Sequence, residues 1–132
     1  MFDNENEDKI ILTCCIFVHA AKMDQNFSEN EKKIIIKALN NLFEKDDSYC
    51  NKILIKAEKK EEDANQILDF TRKIKSFDKS FRLKIIKVLW EIIYADNISD
   101  MYESNLMRRL NGLLYISDKE SGDIKSEILK NK

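Results

Sequence analysis

Two short acidic turns hold this chain's candidate ligands and acid–base groups. The first runs Asp24-Gln25-Asn26-Phe27-Ser28-Glu29-Asn30-Glu31, the second Asp96-Asn97-Ile98-Ser99-Asp100-Met101-Tyr102-Glu103. A shift of roughly seventy residues superposes them without a gap, an internal repeat that pairs Asp24 with Asp96, Ser28 with Asp100 and Glu31 with Glu103. Carboxylates packed together repel one another unless they are protonated or share a cation. Hard divalent ions favour such all-oxygen surroundings, so Asp24, Glu31, Asp96 and Glu103 would suit Ca²⁺ or Mg²⁺, and Zn²⁺ less well. Asn26, Ser28 and Asn97 offer neutral oxygens beside them, and Asp100 a further carboxylate. The first turn opens like a calcium loop, with oxygens at Asp24, Asn26 and Ser28, but it is not an EF-hand. Its sixth position is Glu29 where Gly is needed, and its twelfth is Ile35 where Glu is needed. Helix capping accounts for the same residues without any ion: Asp at one helix end and Glu in the first turn of the next are favourable on their own. The duplication is what sets the metal reading beside that simpler one.

Helices must position these turns. Phe81–Tyr94 is the most apolar helical stretch; its polar residues are Arg82, Lys84, Lys87 and Glu91, and the last three fall on one narrow stripe. Such a helix belongs in the middle of a helical domain. Before it, a helix is expected from about Glu7 to Met23, preceded by a polar, disordered tail over residues 1–6. Ser28 and Glu31 form an S-x-x-E capping box that opens a second helix, buried through Ile35, Ala38, Leu39 and Leu42. Asp46-Asp47-Ser48 restarts the chain into a third, buried through Cys50, Ile53, Leu54 and Ala57, whose mixed-charge end at Lys56–Asp63 reads as a solvated face. Ala64, Ile67, Leu68, Thr71 and Ile74 mark a fourth, and Ser76-Phe77-Asp78 caps the central helix. Asp100 or Ser99 caps a sixth helix with Tyr102, Leu106, Leu110, Leu113 and Leu114 inside. Ser117-Asp118-Lys119-Glu120 is a second capping box and opens a seventh, carried by Ile124, Ile128 and Leu129. The expectation is an all-α, single compact domain of about seven helices over residues 7–130. A pseudo-twofold axis would relate its two helix–acidic turn–helix units, because the apolar residues flanking both turns also match under the repeat.

Composition narrows the function classes. There is no Pro and there are only two Gly, which disfavours a sheet with its many turns. Charged residues make up 36% of the chain, but 23 basic against 24 acidic side chains leave a net charge of −1, with no footprint for nucleic acid. The apolar run Ile10–Ala21 is too short to insert in a membrane and follows acidic residues where a signal peptide would be basic, so a cytoplasmic location is expected. Cys14, Cys15 and Cys50 do not make a disulfide framework and read as free buried thiols. A zinc site from Cys14 or Cys15 with His19 and Cys50 is the competing idea, weakened by the missing C-x-x-C pair and second His. His19 reads as a hydrogen-bonded core residue, Arg108 and Arg109 as ion-pair partners, and Trp90 with Tyr94 as core aromatics.

The stretches VHAAKMDQNFSENEKKIII and LWEIIYADNISDMYESNLMRRLNGLL, with LDFTRKI between them, resemble the TerB-like family. This is the helical fold of the tellurite-resistance protein TerB and of the N-terminal, membrane-proximal region of DjlA-type co-chaperones. The resemblance covers about Ile10 to Leu129. The family's A-x-A-D-G turns stand here as Ala21-Lys22-Met23-Asp24-Gln25 and Tyr94-Ala95-Asp96-Asn97, both without the glycine. It implies an acidic cluster at Asp24, Glu31, Asp96 and Glu103 that binds a divalent metal, and a part in stress-linked complexes. The expected function is therefore a non-enzymatic binding or regulatory module that holds a divalent ion and meets a protein partner. One alternative is a stand-alone co-chaperone-type interaction domain; with no Pro, the chain has no His-Pro-Asp tripeptide and hence no J-domain. Another is a small carboxylate-dependent hydrolase, disfavoured by the lack of a phosphate loop, of a His near the acids and of a nucleophile.

Overall fold

The computed structural model describes the backbone of residues 2–22, 29–63, 72–74, 76–95 and 100–130, and the side chains of 7–22, 29–63, 72–74, 76–94 and 105–130. Among these residues the chain forms six α-helices and no strand: α1 (Phe2–Ala21), α2 (Glu29–Phe43), α3 (Asp47–Asp63), α4 (Lys79–Ala95), α5 (Asp100–Leu113) and α6 (Asp118–Lys130). The fourth expected helix lies mostly outside them; residues 72–74 are helical and bring Ile74 into the core.

The helix starts follow local chemistry. At α3 the Asp46 carboxylate accepts the Tyr49 N–H at 2.8 Å, an N-cap one residue before the helix. At α6 the capping box closes as expected: the Glu120 N–H donates to Ser117 Oγ (3.1 Å) and the Ser117 N–H to Glu120 Oε1 (3.3 Å). Lys79 reaches the other Glu120 oxygen at 2.8 Å, and these bonds hold that carboxyl down at about 2. Two helices end on left-handed residues that are not glycine, Glu44 (φ 55°) after α2 and Tyr115 (φ 58°) after α5. At α5 the Ile116 N–H bonds Asn111 O and the Tyr115 N–H bonds Gly112 O, a Schellman ending. Arg82 of α4 caps the same end by donating to the carbonyls of Leu114 (2.8 Å) and Tyr115 (3.4 Å).

One start differs. α1 begins at Phe2, within the expected tail and well before Glu7, and ends at Ala21, short of Met23. Asp3, Glu5, Glu7 and Asp8 are acidic residues at a helix N-terminus, where the macrodipole favours them, and no Pro or Gly interrupts. Glu7 also takes a 2.6 Å ion pair from Lys56 of α3.

α4 is the central helix that its composition implied. Ile85, Ile86, Leu89, Ile92 and Ile93 are fully buried, while Lys84 and Lys87 stay in water. It packs against α1, α2 and α6, and α1 packs most extensively on α3. Each such side chain, taken out of water, contributes roughly 1.5–3 kcal/mol, so this helix and its α1 counterpart (Ile16, Phe17, Val18) dominate the core. Trp90 stacks on Tyr94 with centroids 6.0 Å apart, and its indole N–H donates to the buried Ser121 hydroxyl of α6 at 3.0 Å. Of the residues expected to carry α6, Ile124 and Ile128 pack on the core, but Leu129 is exposed at the chain end.

Helix directions follow from aromatic contacts. The Lys9 ammonium of α1 lies over the rings of Phe77 and Phe81, at 4.7 and 4.4 Å, so the early part of α1 meets the early part of α4. The two helices run parallel. Phe43 at the end of α2 meets Phe81 at the start of α4, with centroids 5.6 Å apart, so α2 runs antiparallel to α4.

Candidate metal centre

Parallel α1 and α4, with α2 antiparallel, bring the end of α1, the start of α2 and the end of α4 to one end of the bundle. The Lys9–Phe81 contact spans the same separation as the shift that pairs Asp24 with Asp96. Near that end, Ile34 in the early part of α2 and Glu91 in the last turns of α4 line one groove.

Of the seven expected metal-site residues, Glu31 is the one whose side chain is described. It lies in the first turn of α2 and is fully buried, at 0% exposure. The reason is its phase: Glu31 is one turn before Ile35, which is itself fully buried. Burying a carboxylate is costly unless its charge is met. Asp24, Asn26, Ser28 and Asp96 lie outside the described residues. So do the side chains of Asp100 and Glu103, although both are within helix α5. Among the described residues, no three His, Cys, Asp or Glu side chains are grouped to hold a metal.

That finding bears on the zinc alternative. Cys14, Cys15 and Cys50 are free and buried, as expected, but they do not converge with His19. The Cys15 thiol points to the Ala57 carbonyl (3.7 Å), and Cys50 lies against Lys45 O (3.8 Å) and the Asn40 amide (3.5 Å). Burial pushes all three thiols up, Cys15 to about 12, which keeps them protonated and poor ligands.

His19 is engaged elsewhere, in a polar junction of α1, α3 and α5. Its Nδ1 lies 3.4 Å from Glu61 Oε1, and its Nε2 lies 3.3 Å from an Arg109 nitrogen. A guanidinium only donates, so Nε2 accepts, and the ring proton sits on Nδ1 facing Glu61. Burial lowers the His19 pKa, with Arg109 adding to the effect and Glu61 opposing it, so the ring is neutral at pH 7. Lys22 completes the group with a 3.1 Å bond to Glu61 Oε2. Arg109 thus meets a ring where an ion pair was expected, and Lys56–Asp63 is not wholly solvated. The signal for Glu61 was present: it lies four residues after Ala57 and continues the buried stripe of Cys50, Leu54 and Ala57.

Neither the curated proteins nor the solved structures contain a match to this chain. Among protein families, the model for the tellurite resistance protein TerB matches residues 11–126, from the first buried turns of α1 into α6 and across both acidic turns. The six described helices are thus those of a TerB domain, and the chain belongs to the TerB family.

Proposed function

We propose that this TerB-family protein is a non-enzymatic binding module that holds one divalent cation, Ca²⁺ or Mg²⁺, between its two acidic turns. It uses the domain so organised to engage a protein partner in a stress-response setting of the tellurite-resistance kind. Asp24, Glu31, Asp96 and Glu103 would be the ligands, with Asn26, Ser28 and Asp100 in reserve.

The observation that carries this reading is the burial of Glu31 in the first turn of α2. A buried carboxylate is a hard, anionic oxygen donor, the type that Ca²⁺ and Mg²⁺ take. The parallel register of α1 and α4 supports it, because it carries both helix ends to the same end of the bundle. The hydrolase alternative gains no support from the described chemistry: His19, which could have served as a base, is held between Glu61 and Arg109. No helix among the described residues is long and apolar enough to cross a membrane.

Isothermal titration of Ca²⁺ and of Mg²⁺ into the metal-stripped protein tests the proposal. One ion per chain is expected, with Kd of about 10⁻⁵–10⁻³ M. Absence of heat up to millimolar ion, or binding that survives Glu31→Gln together with Asp96→Asn, would contradict it.

A further inference from the structure

Between α2 and α4 runs an open groove of about 470 Å³. Its floor is apolar: Ile34, Ala38 and Leu42 from α2 face Val88 from α4, with Ile34 and Leu42 only half-buried. From Ile34 to Leu42 a helix rises about 12 Å, so the floor extends over a little more than two turns. No aromatic ring lines it.

The rim is positive. Lys37 stands on one wall and Lys84 and Lys87 on the other, all exposed, with Glu91 as the one acidic residue. None of the three lysines forms an ion pair among the described residues. Three positive charges against one negative stand out on a chain whose net charge is −1. Ammonium groups held around a low-dielectric floor repel one another and attract an acidic segment.

We propose that this groove is a docking site for an acidic, amphipathic helix of a protein partner. Apolar anchors at i, i+4 and i+7 would lie on the Ile34–Leu42 floor, while flanking carboxylates meet Lys37, Lys84 and Lys87. A groove between two helices is the shape that receives a third. Its length sets the number of anchors, and its rim sets the sign of the flanks. Single-stranded nucleic acid fits less well, because it needs aromatic platforms that the lining lacks. The inference names the partner chemistry left open by the proposed function and rests only on its protein-partner half, not on the cation.

The test uses the full chain and a fluorescein-labelled peptide of about fourteen residues, with Leu at i, i+4 and i+7 and Glu on both flanks. Saturable binding is expected by fluorescence anisotropy, weakening with added salt. Amide shifts should concentrate on the facing sides of α2 and α4. Lys84→Glu with Lys87→Glu, both at exposed positions, should weaken binding by at least about tenfold. A peptide with Ser in place of Leu should lose binding, and the two lysine reversals should leave the Ca²⁺ titration of the same protein unchanged, which separates this proposal from the metal reading. The proposal is overturned by no binding at millimolar peptide, by equal binding of the Ser peptide, or by indifference to the lysine reversals. It is equally overturned if an oligonucleotide shifts the same amides more than the peptide does. Self-association abolished by the lysine reversals would assign the groove to a second copy of the chain and sink it too.

Discussion

Replacing Glu61 with Gln removes the one negative charge that Lys22 and His19 share, and so tests whether the α1–α3–α5 junction holds the helices together. The side chains of Glu61, His19 and Lys22 are 14%, 23% and 34% exposed. The 3.1 Å Lys22 bond is charge-assisted but half in water, and the His19 contact is longer at 3.4 Å. Discounted for solvent, the pair is worth about 1–2 kcal/mol. For a chain of 132 residues each kcal/mol moves the melting temperature by about 3–5 °C, so a drop of roughly 3–10 °C is expected. The pH profile gives a second readout. His19 titrates below its ordinary 6.5 in the folded state, because burial disfavours the imidazolium. The unfolded chain then binds more protons, so stability is fully present above about pH 6.5 and is lost as pH falls through the folded value. Glu61 opposes that depression, so Glu61→Gln should deepen the acid loss and His19→Asn should flatten it. Thermal melts of wild type, both single variants and the double variant, from pH 5 to 8 at low and high salt, measure all of this. A Glu61→Gln melt within about 1 °C of wild type at low salt, with an unchanged pH profile, would refute the reasoning.

Glu44, exposed and left-handed at φ 55°, should gain about 0.5–1 kcal/mol on replacement by Gly, read as a rise in the urea midpoint at constant slope. Ser121→Ala should cost about 1–2 kcal/mol, because it removes the acceptor of the buried Trp90 indole N–H, and it should shift the tryptophan emission. The three thiols, buried and with Cys15 pushed up to about 12, should react with an aromatic disulfide reagent at pH 8 only as fast as the chain opens. Rapid stoichiometric labelling of the native protein would contradict that burial.

What could be read from the sequence was whatever depends on neighbours along the chain. The Ser117–Glu120 box is four consecutive residues, and its hydrogen bonds form as the spacing implies. The stripe of Lys84, Lys87 and Glu91 is a property of one helix, and it correctly set α4 at the centre of the bundle. The Glu61–His19–Arg109 junction was missed because it joins three helices far apart in sequence; the stripe through Ala57 could single out Glu61 but not its partners. The lysine-rimmed groove escaped for the same reason, since Lys37 and Lys84 become neighbours only when α2 packs on α4. At the acidic turns the repeat named the residues and the helix directions agree with their convergence, but six of the seven side chains lie outside the described residues. The buried Glu31 therefore carries that site.

If one divalent cation relieves carboxylate repulsion among Asp24, Glu31, Asp96 and Glu103, a thermal melt with added ion shows it most directly. An ion that binds only the folded state adds about 2.7 kcal/mol at a hundredfold excess over Kd, or a rise of roughly 10 °C for a domain of this size. Millimolar Ca²⁺ or Mg²⁺ should produce that rise in wild type. Asp24→Asn and Asp96→Asn should each abolish it and should each melt higher than wild type without metal, having lost one repelling charge. Wild-type melts unmoved by Ca²⁺, Mg²⁺, Mn²⁺ and Zn²⁺, with both variants destabilised, would instead leave Asp24 and Asp96 as helix-end residues and contradict the claim.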